Sequence, residues 1–233
     1  MIRLLCVGLG GMGHHDWNAA IDCGGFTAVG GVDVDTGARS VFAEKTGAPA
    51  FTDLDQALDN VEADAALVAT PDRFHAPLTL RALDAGLDVI CEKPMAIGMG
   101  AADSMVDACA ASGTKLVISH QRRFTPGWER GRELMREGVV GDPVLVTNKV
   151  AEGLTNWGTH SIDGSRFVLG DPQPQWVMGA VERRTNRYER NTAIEDACLG
   201  LLQFEGAQGT EYWLGLNNFF VITTYNHSPL YAM

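Results

Sequence analysis

Nowhere in the 233 residues is there an apolar run long enough to cross a membrane, and Met1-Ile2-Arg3 leads straight into a short apolar strand pattern with no secretion signal before it. The chain is therefore expected to be cytoplasmic, with no membrane partner. Positive charge is scarce: 18 Lys and Arg stand against 29 Asp and Glu, a net charge of −11. Nucleic acid is excluded on that balance, because binding it needs a basic stripe that displaces counterions. The densest basic stretch, Gln121-Arg122-Arg123 with Arg130, Arg132 and Arg136, is interleaved with acids and reads as a solvated helix face. Cysteine is sparse. Cys6, Cys23, Cys91, Cys109 and Cys198 form no C-x-x-C pair, so they are expected to be small core residues in a reducing compartment, with no disulfide framework and no metal site. Repeats, low-complexity tracts and flexible linkers are also missing. What remains, 45% hydrophobic and 20% charged residues, describes a chain that buries a core and is long enough for two domains.

Glycine, by contrast, is concentrated where it has a use. Gly8-Leu9-Gly10-Gly11-Met12-Gly13 follows the apolar run Leu4-Leu5-Cys6-Val7, and Asp33 ends a second strand pattern, Thr27 to Val32. This is the arrangement of a dinucleotide site. Gly8 permits a sharp turn off the strand, Gly10 lets backbone N–H groups approach a pyrophosphate, and Gly13 lets the next helix pack close. The Asp33 carboxylate is expected on the adenosine ribose, and with no arginine immediately after it NAD is expected in preference to NADP. His14 and His15 follow the loop without a carboxylate or cysteine at ligand spacing, so they are expected near the pyrophosphate rather than on a metal.

Up to about Ser119, continuous apolar strands alternate with helices opened by Asp35 or Thr36 and by Asp53, and closed by Gly47 and Gly86. Such a pattern predicts an α/β, doubly wound parallel sheet, a Rossmann domain, over residues 1–122. After Phe124 the grammar changes to a helix at 126–137, strands at 143–150 and 175–184, a helical stretch at 158–169 and a hairpin around Glu205-Gly206-Ala207. Residues 123–233 are thus expected to form a C-terminal α+β domain with a largely antiparallel sheet, serving substrate binding and homo-oligomer formation.

Glu92-Lys93-Pro94 follows the strand ending at Cys91, Thr70-Pro71 with His75 follows the strand ending at Ala69, and Gly158-Thr159-His160-Ser161-Ile162-Asp163 comes later. Together with the glycine loop these resemble the Gfo/Idh/MocA family of NAD(P)-dependent oxidoreductases, over roughly residues 1–215. The resemblance implies that Gly8, Gly10, Gly11, Met12, Gly13 and Asp33 hold NAD. It places Thr70, Pro71, His75, Glu92 and Lys93 along the nicotinamide half, with a cis bond before Pro94. Lys93 would contact the reacting substrate oxygen, and His160 would exchange the hydroxyl proton. Asp163, one turn on, is expected to orient His160. Arg123 matches a family arginine at the domain junction, with either a cofactor contact or a structural salt bridge open to it.

Two departures qualify the likeness. Asn156 stands where the family often has an aspartate; it can hold a substrate hydroxyl but accepts no proton, so it is assigned to the catalytic set with an incomplete proton relay. The tail Val221 to Met233 does not resemble the family's continuation, and the second domain is expected to be incomplete. The function implied is hydride transfer between NAD and a secondary alcohol of a sugar, cyclitol or related polyol. The alternatives are an NAD-using glycosidase of the same fold, in which oxidation of the sugar is transient, and a non-catalytic cofactor-binding protein.

Overall fold

The computed structural model describes residues 1–141, 143, 145–149, 153–189, 192–205 and 211–217. They fall into two compact units that divide between Ser119 and His120. The first alternates β1 (Ile2–Val7), α1 (Met12–Asp22), β2 (Phe26–Val32), α2 (Thr36–Thr46), β3 (Ala50–Phe51), α3 (Leu54–Asn60), β4 (Ala65–Val68), α4 (His75–Asp84), β5 (Asp88–Glu92), α5 (Met99–Ser112) and β6 (Leu116–Ser119). The strands are parallel, in the order β3-β2-β1-β4-β5-β6. The chain therefore works outward from β1 and returns to its other side at β4. The crevice of a doubly wound sheet lies at that reversal, off the carboxyl ends of the strands.

Both faces of the sheet are covered, which is why its central strands read as unbroken apolar runs. Leu4 and Cys6 meet Trp17 of α1 and Phe42 of α2 on one face; Leu5 and Val7 meet Leu54, Leu83 and Met105 of α3, α4 and α5 on the other. Gly31 leaves space for the Phe42 ring, since a Cβ there would lie 2.6 Å from Cδ1. The caps match the sequence signals. Asp35 accepts the Ala38 N–H at 2.7 Å and Asp53 the Gln56 N–H at 2.8 Å, while Gly47 ends α2 in the left-handed region, φ 73°. The thiols of Cys6 and Cys91 are buried, and burial pushes both up to about 12, so they remain protonated core groups.

The second unit contains α6 (Pro126–Arg136), β7 (Leu145–Lys149), a π turn at Leu154–Gly158 running into α7 (Thr159–Val168), β8 (Pro174–Glu182), β9 (Tyr188–Glu189), β10 (Thr192–Ala193), β11 (Ala197–Glu205) and β12 (Glu211–Asn217). Its larger sheet has the order β7-β12-β11-β8, antiparallel except for the parallel β12–β7 pair. Phe204 of β11 is fully buried against Ile162 and Leu169, which seats α7 on the sheet. Arg130 pairs with Glu133 and Glu137 as a solvated face should. Arg132 departs from that expectation: it stacks on Phe167 and pairs with Asp171 at 3.5 Å. The turn at Gly206-Ala207 and the tail from Val221 lie outside the described residues.

Candidate cofactor and active site

The glycines after β1 divide into two kinds. A Cβ on Gly8, at φ 92°, would lie 2.5 Å from the Ala69 carbonyl oxygen at the end of β4, and a Cβ on Gly13 would lie 2.1 Å from the Gly8 oxygen. Those two are required by the protein itself. A Cβ on Gly10 would meet nothing within 4 Å. The space beside Gly10 belongs to a groove of about 640 Å³ lined by Leu9, Gly10, Gly11, His14 and Asn18 among others. No side chain caps α1, whose first residue is Met12, so its leading N–H groups are left without a side-chain acceptor, as at helix N-termini that receive anions. Asp33 holds the turn from the other side: its Oδ2 accepts the Leu9 N–H at 2.7 Å and its Oδ1 the Asp35 N–H at 2.9 Å. Arg39 is a residue the sequence reading passed over. It is not adjacent to Asp33, yet it donates to the Asp33 carbonyl at 2.7 Å and to Thr36 Oγ1 at 3.0 Å, putting a cation at the end of β2.

The carboxyl ends of β4 and β5 carry the next group. Pro71 opens a short 3-10 turn, Asp72–Phe74, that delivers His75. His75 is buried, with Nε2 2.8 Å from the Thr70 carbonyl oxygen and Nδ1 2.7 Å from that of Pro94. Both ring nitrogens thus face backbone carbonyl oxygens, and a neutral imidazole donates to one of the two. The ring braces the Thr70 turn against the Glu-Lys-Pro turn, and any influence on a ligand passes through those turns. The Lys93–Pro94 bond is cis. Lys93 itself is only 6% exposed, and Glu92 4%. Thr70 Oγ1, Glu92 Oε1 and Asp16 Oδ2 are buried polar atoms with no hydrogen-bond partner among the described residues. Burial raises the Glu92 carboxyl above its ordinary range; a hydrogen bond with Ser119 draws it back in part, and the Asp16 charge pushes it up again. Asp16 is likewise raised by burial, with His15 opposing. Asp16 and Ser119 carry no motif signal and were not anticipated.

In the second unit, His160 is buried near the start of α7, with its ring edge-on to Trp157 at 6.4 Å. Asn156 lies in the π turn four residues earlier and donates its side-chain N–H to Glu189. Asp163 is held by a guanidinium. Arg123 donates to it from Nε at 2.9 Å and from a terminal nitrogen at 2.6 Å, and His120 Nδ1 lies 3.5 Å away. The same guanidinium reaches Asp171, at φ 60° an unusual backbone for a non-glycine residue, at 2.9 Å. These carboxylates, Asp163 first, hold Arg123 above its ordinary pKa. Of the two roles open to Arg123, the geometry carries the salt bridge, which ties α7 to the turns on either side of it. Among the described residues, no cluster of three or more His, Cys, Asp or Glu could hold a metal.

The oxidoreductase family with an NAD-binding Rossmann fold matches residues 2–120, just over half the chain. The chain belongs to that family. The chain is 34% identical over 187 residues to an inositol 2-dehydrogenase of Rubrobacter xylanophilus, covering 74% of this chain and 54% of that one. It is 32% identical over 209 residues to inositol 2-dehydrogenase 2 of Paenarthrobacter aurescens, covering 81% and 61%. It thus spans little more than half the length of these curated relatives. Among solved structures, the WlbA dehydrogenase of Bordetella pertussis, in complex with NADH and UDP-GlcNAcA, superposes with a TM-score of 0.77 at 23% identity, over 92% of this chain and 70% of that one, so the two share a fold. The transglycosylase SLT domain family also matches residues 127–233. That is less than half of the chain and establishes no membership, and the sheet-bearing fold of this unit is the one found in the dehydrogenase structure.

The strained acid at residue 92 gives a test. Because the folded pKa of Glu92 lies above its unfolded value, its ionisation costs stability; the cost is absent below the ordinary carboxylate range, about 4.3, and grows as pH rises through the folded pKa. Glu92→Gln is expected to melt higher than the parent at pH 8 and to lose that advantage at pH 4.5. A melting difference that is the same at both pH values contradicts the assignment.

Proposed function

We propose that the protein oxidises a secondary alcohol of a sugar, cyclitol or related polyol with NAD. The observation that carries this reading is a buried lysine, Lys93, at the carboxyl end of β5, in the sheet whose first turn leaves Gly10 open above uncapped N–H groups. The inositol dehydrogenase relatives support the substrate class.

Gly8, Gly10, Gly11, Met12 and Gly13 would hold the pyrophosphate, with Gly8 and Gly13 fixing the turn. Asp33 would accept from the adenosine ribose. At the nicotinamide half, Thr70 Oγ1 and Glu92 Oε1 offer unmatched polar atoms, while Pro71 and His75 shape the turn. When bound, NAD supplies the hydride acceptor. Lys93 stabilises negative charge developing on the substrate oxygen, His160 takes the hydroxyl proton, and Asn156 holds a hydroxyl in place. Arg123 supports α7, and with it His160.

Assembly is part of the proposal. β8 is an edge strand exposed along its whole length, with apolar residues on both faces: Val177 and Val181 are each 69% exposed, and Met178 is 62% exposed. An apolar edge of this kind pairs with a second copy of the chain. Sedimentation is expected to give a homo-oligomer that Val177→Lys weakens; a monodisperse monomer at micromolar concentration contradicts this.

For the chemistry, NADH formation is followed with myo-inositol as the probe. Lys93→Ala and His160→Ala are each expected to lower kcat by about a hundredfold or more with NAD affinity nearly unchanged. Full activity in both variants contradicts the assignment. With a nitrophenyl glycoside as a second probe, nitrophenol released without net NADH instead indicates the glycosidase reading.

A further inference from the structure

Asn156 does not stand alone. Glu189, 33 residues later on β9, turns one carboxylate oxygen to the Asn156 side-chain nitrogen and the other to the Gly153 N–H at 3.2 Å. Beside it, Glu195 accepts the Leu154 N–H at 2.6 Å. The two glutamates thus share the free N–H groups at the start of the helical run that carries Asn156 and His160. Among the described residues, the Glu195 side chain accepts no other hydrogen bond. Glu189 caps with one oxygen and spends the other on a side chain.

A carboxylate can only accept, so the atom of Asn156 facing Glu189 must be the NH2 and the amide carbonyl is turned away from it. The backbone suits this contact: a Cβ on Gly153 would lie 3.0 Å from Glu189 Oε2 and 2.6 Å from Ile194 Cγ2, so a side chain there would crowd both and push the carboxylate back. We propose that Glu189 is the positioning residue for Asn156, holding one of its two side-chain N–H groups and so fixing the carboxamide with its carbonyl oxygen turned to accept from a polyol hydroxyl. This rests on Asn156 being a substrate contact, as read above. The hydroxyl then donates to Asn156, and the negative charge near that position is supplied by Glu189, at one remove from the substrate.

Glu189→Gln keeps the size of the side chain but lets either end of the Asn156 amide face it. Glu195→Gln is the control that loses a cap without touching Asn156. With the full chain, saturating NAD and myo-inositol as the probe, Glu189→Gln is expected to raise KM about tenfold with a smaller change in kcat, and Glu195→Gln to lower the melting temperature while leaving KM within about twofold. In the protein without cofactor, the Asn156 side-chain NH2 resonances, identified by their loss in Asn156→Ala, are expected to move in Glu189→Gln and to stay in Glu195→Gln. Equal effects of the two glutamate variants on KM or on those resonances overturn the positioning role. If Asn156→Ala leaves KM unchanged, Asn156 is no substrate contact and both readings fall; if Asn156→Ala raises KM and Glu189→Gln does not, only the positioning role falls. Should Glu189→Gln not fold, Glu189→Asp, one methylene shorter, carries the same comparison.

Discussion

The closeness of α1 to the end of β1 sets the geometry of the first unit. A helix can begin at Met12 only because Gly8 and Gly13 lack side chains: with a Cβ on Gly13 2.1 Å from the Gly8 oxygen, any other residue would lever the helix off the sheet. The same turn is pressed from the β4 side by the Ala69 carbonyl and tied to β2 by the Asp33 carboxylate on the Leu9 N–H. Three strands thus meet at one loop. What the loop gains is a run of uncapped N–H groups with room beside Gly10, and among the described residues no side chain fills that room or caps those donors.

A second cost is accepted next to it. Acids are seldom buried unless they are paired, yet Asp16 and Glu92 each keep an oxygen without a hydrogen-bond partner among the described residues, and both carboxyls are raised by burial. Thr70 Oγ1 adds a third unmatched atom at the end of the neighbouring strand. Unsatisfied polar atoms gathered at the carboxyl ends of parallel strands are what a ligand with several hydrogen-bonding groups would repair. The site is in that sense prepared at the expense of the fold's own stability.

The parallel sheet was legible in the sequence because strands buried on both faces leave continuous apolar runs, and because Asp35, Asp53 and Gly47 act through contacts within a few residues of themselves. The two-residue β3 was not, having too few residues for any pattern. Nor was the π turn: Leu154-Thr155-Asn156-Trp157-Gly158 reads simply as the approach to a helix. Long-range partners left no trace at all. The Arg123 guanidinium, 40 residues away, bonds the Asp163 carboxylate, a partner that the one-turn spacing from His160 does not announce. Glu189 and Glu195 sit in a short polar segment with no motif, and the Asn156 that looked deprived of a carboxylate has one across a hydrogen bond. Arg39 was missed because a residue three or four positions into a helix can reach back over the strand end before it.

The central claim is that the space over Gly10 is reserved for the cofactor, whereas Gly8 and Gly13 serve the fold. Calorimetric titration of NAD into the parent chain and into Gly10→Val tests it most directly, with thermal melts of both alongside. The account predicts that Gly10→Val melts within a few degrees of the parent and binds NAD at least about tenfold more weakly, since its side chain enters open space that the pyrophosphate needs. NAD binding of equal strength in the two proteins would contradict it.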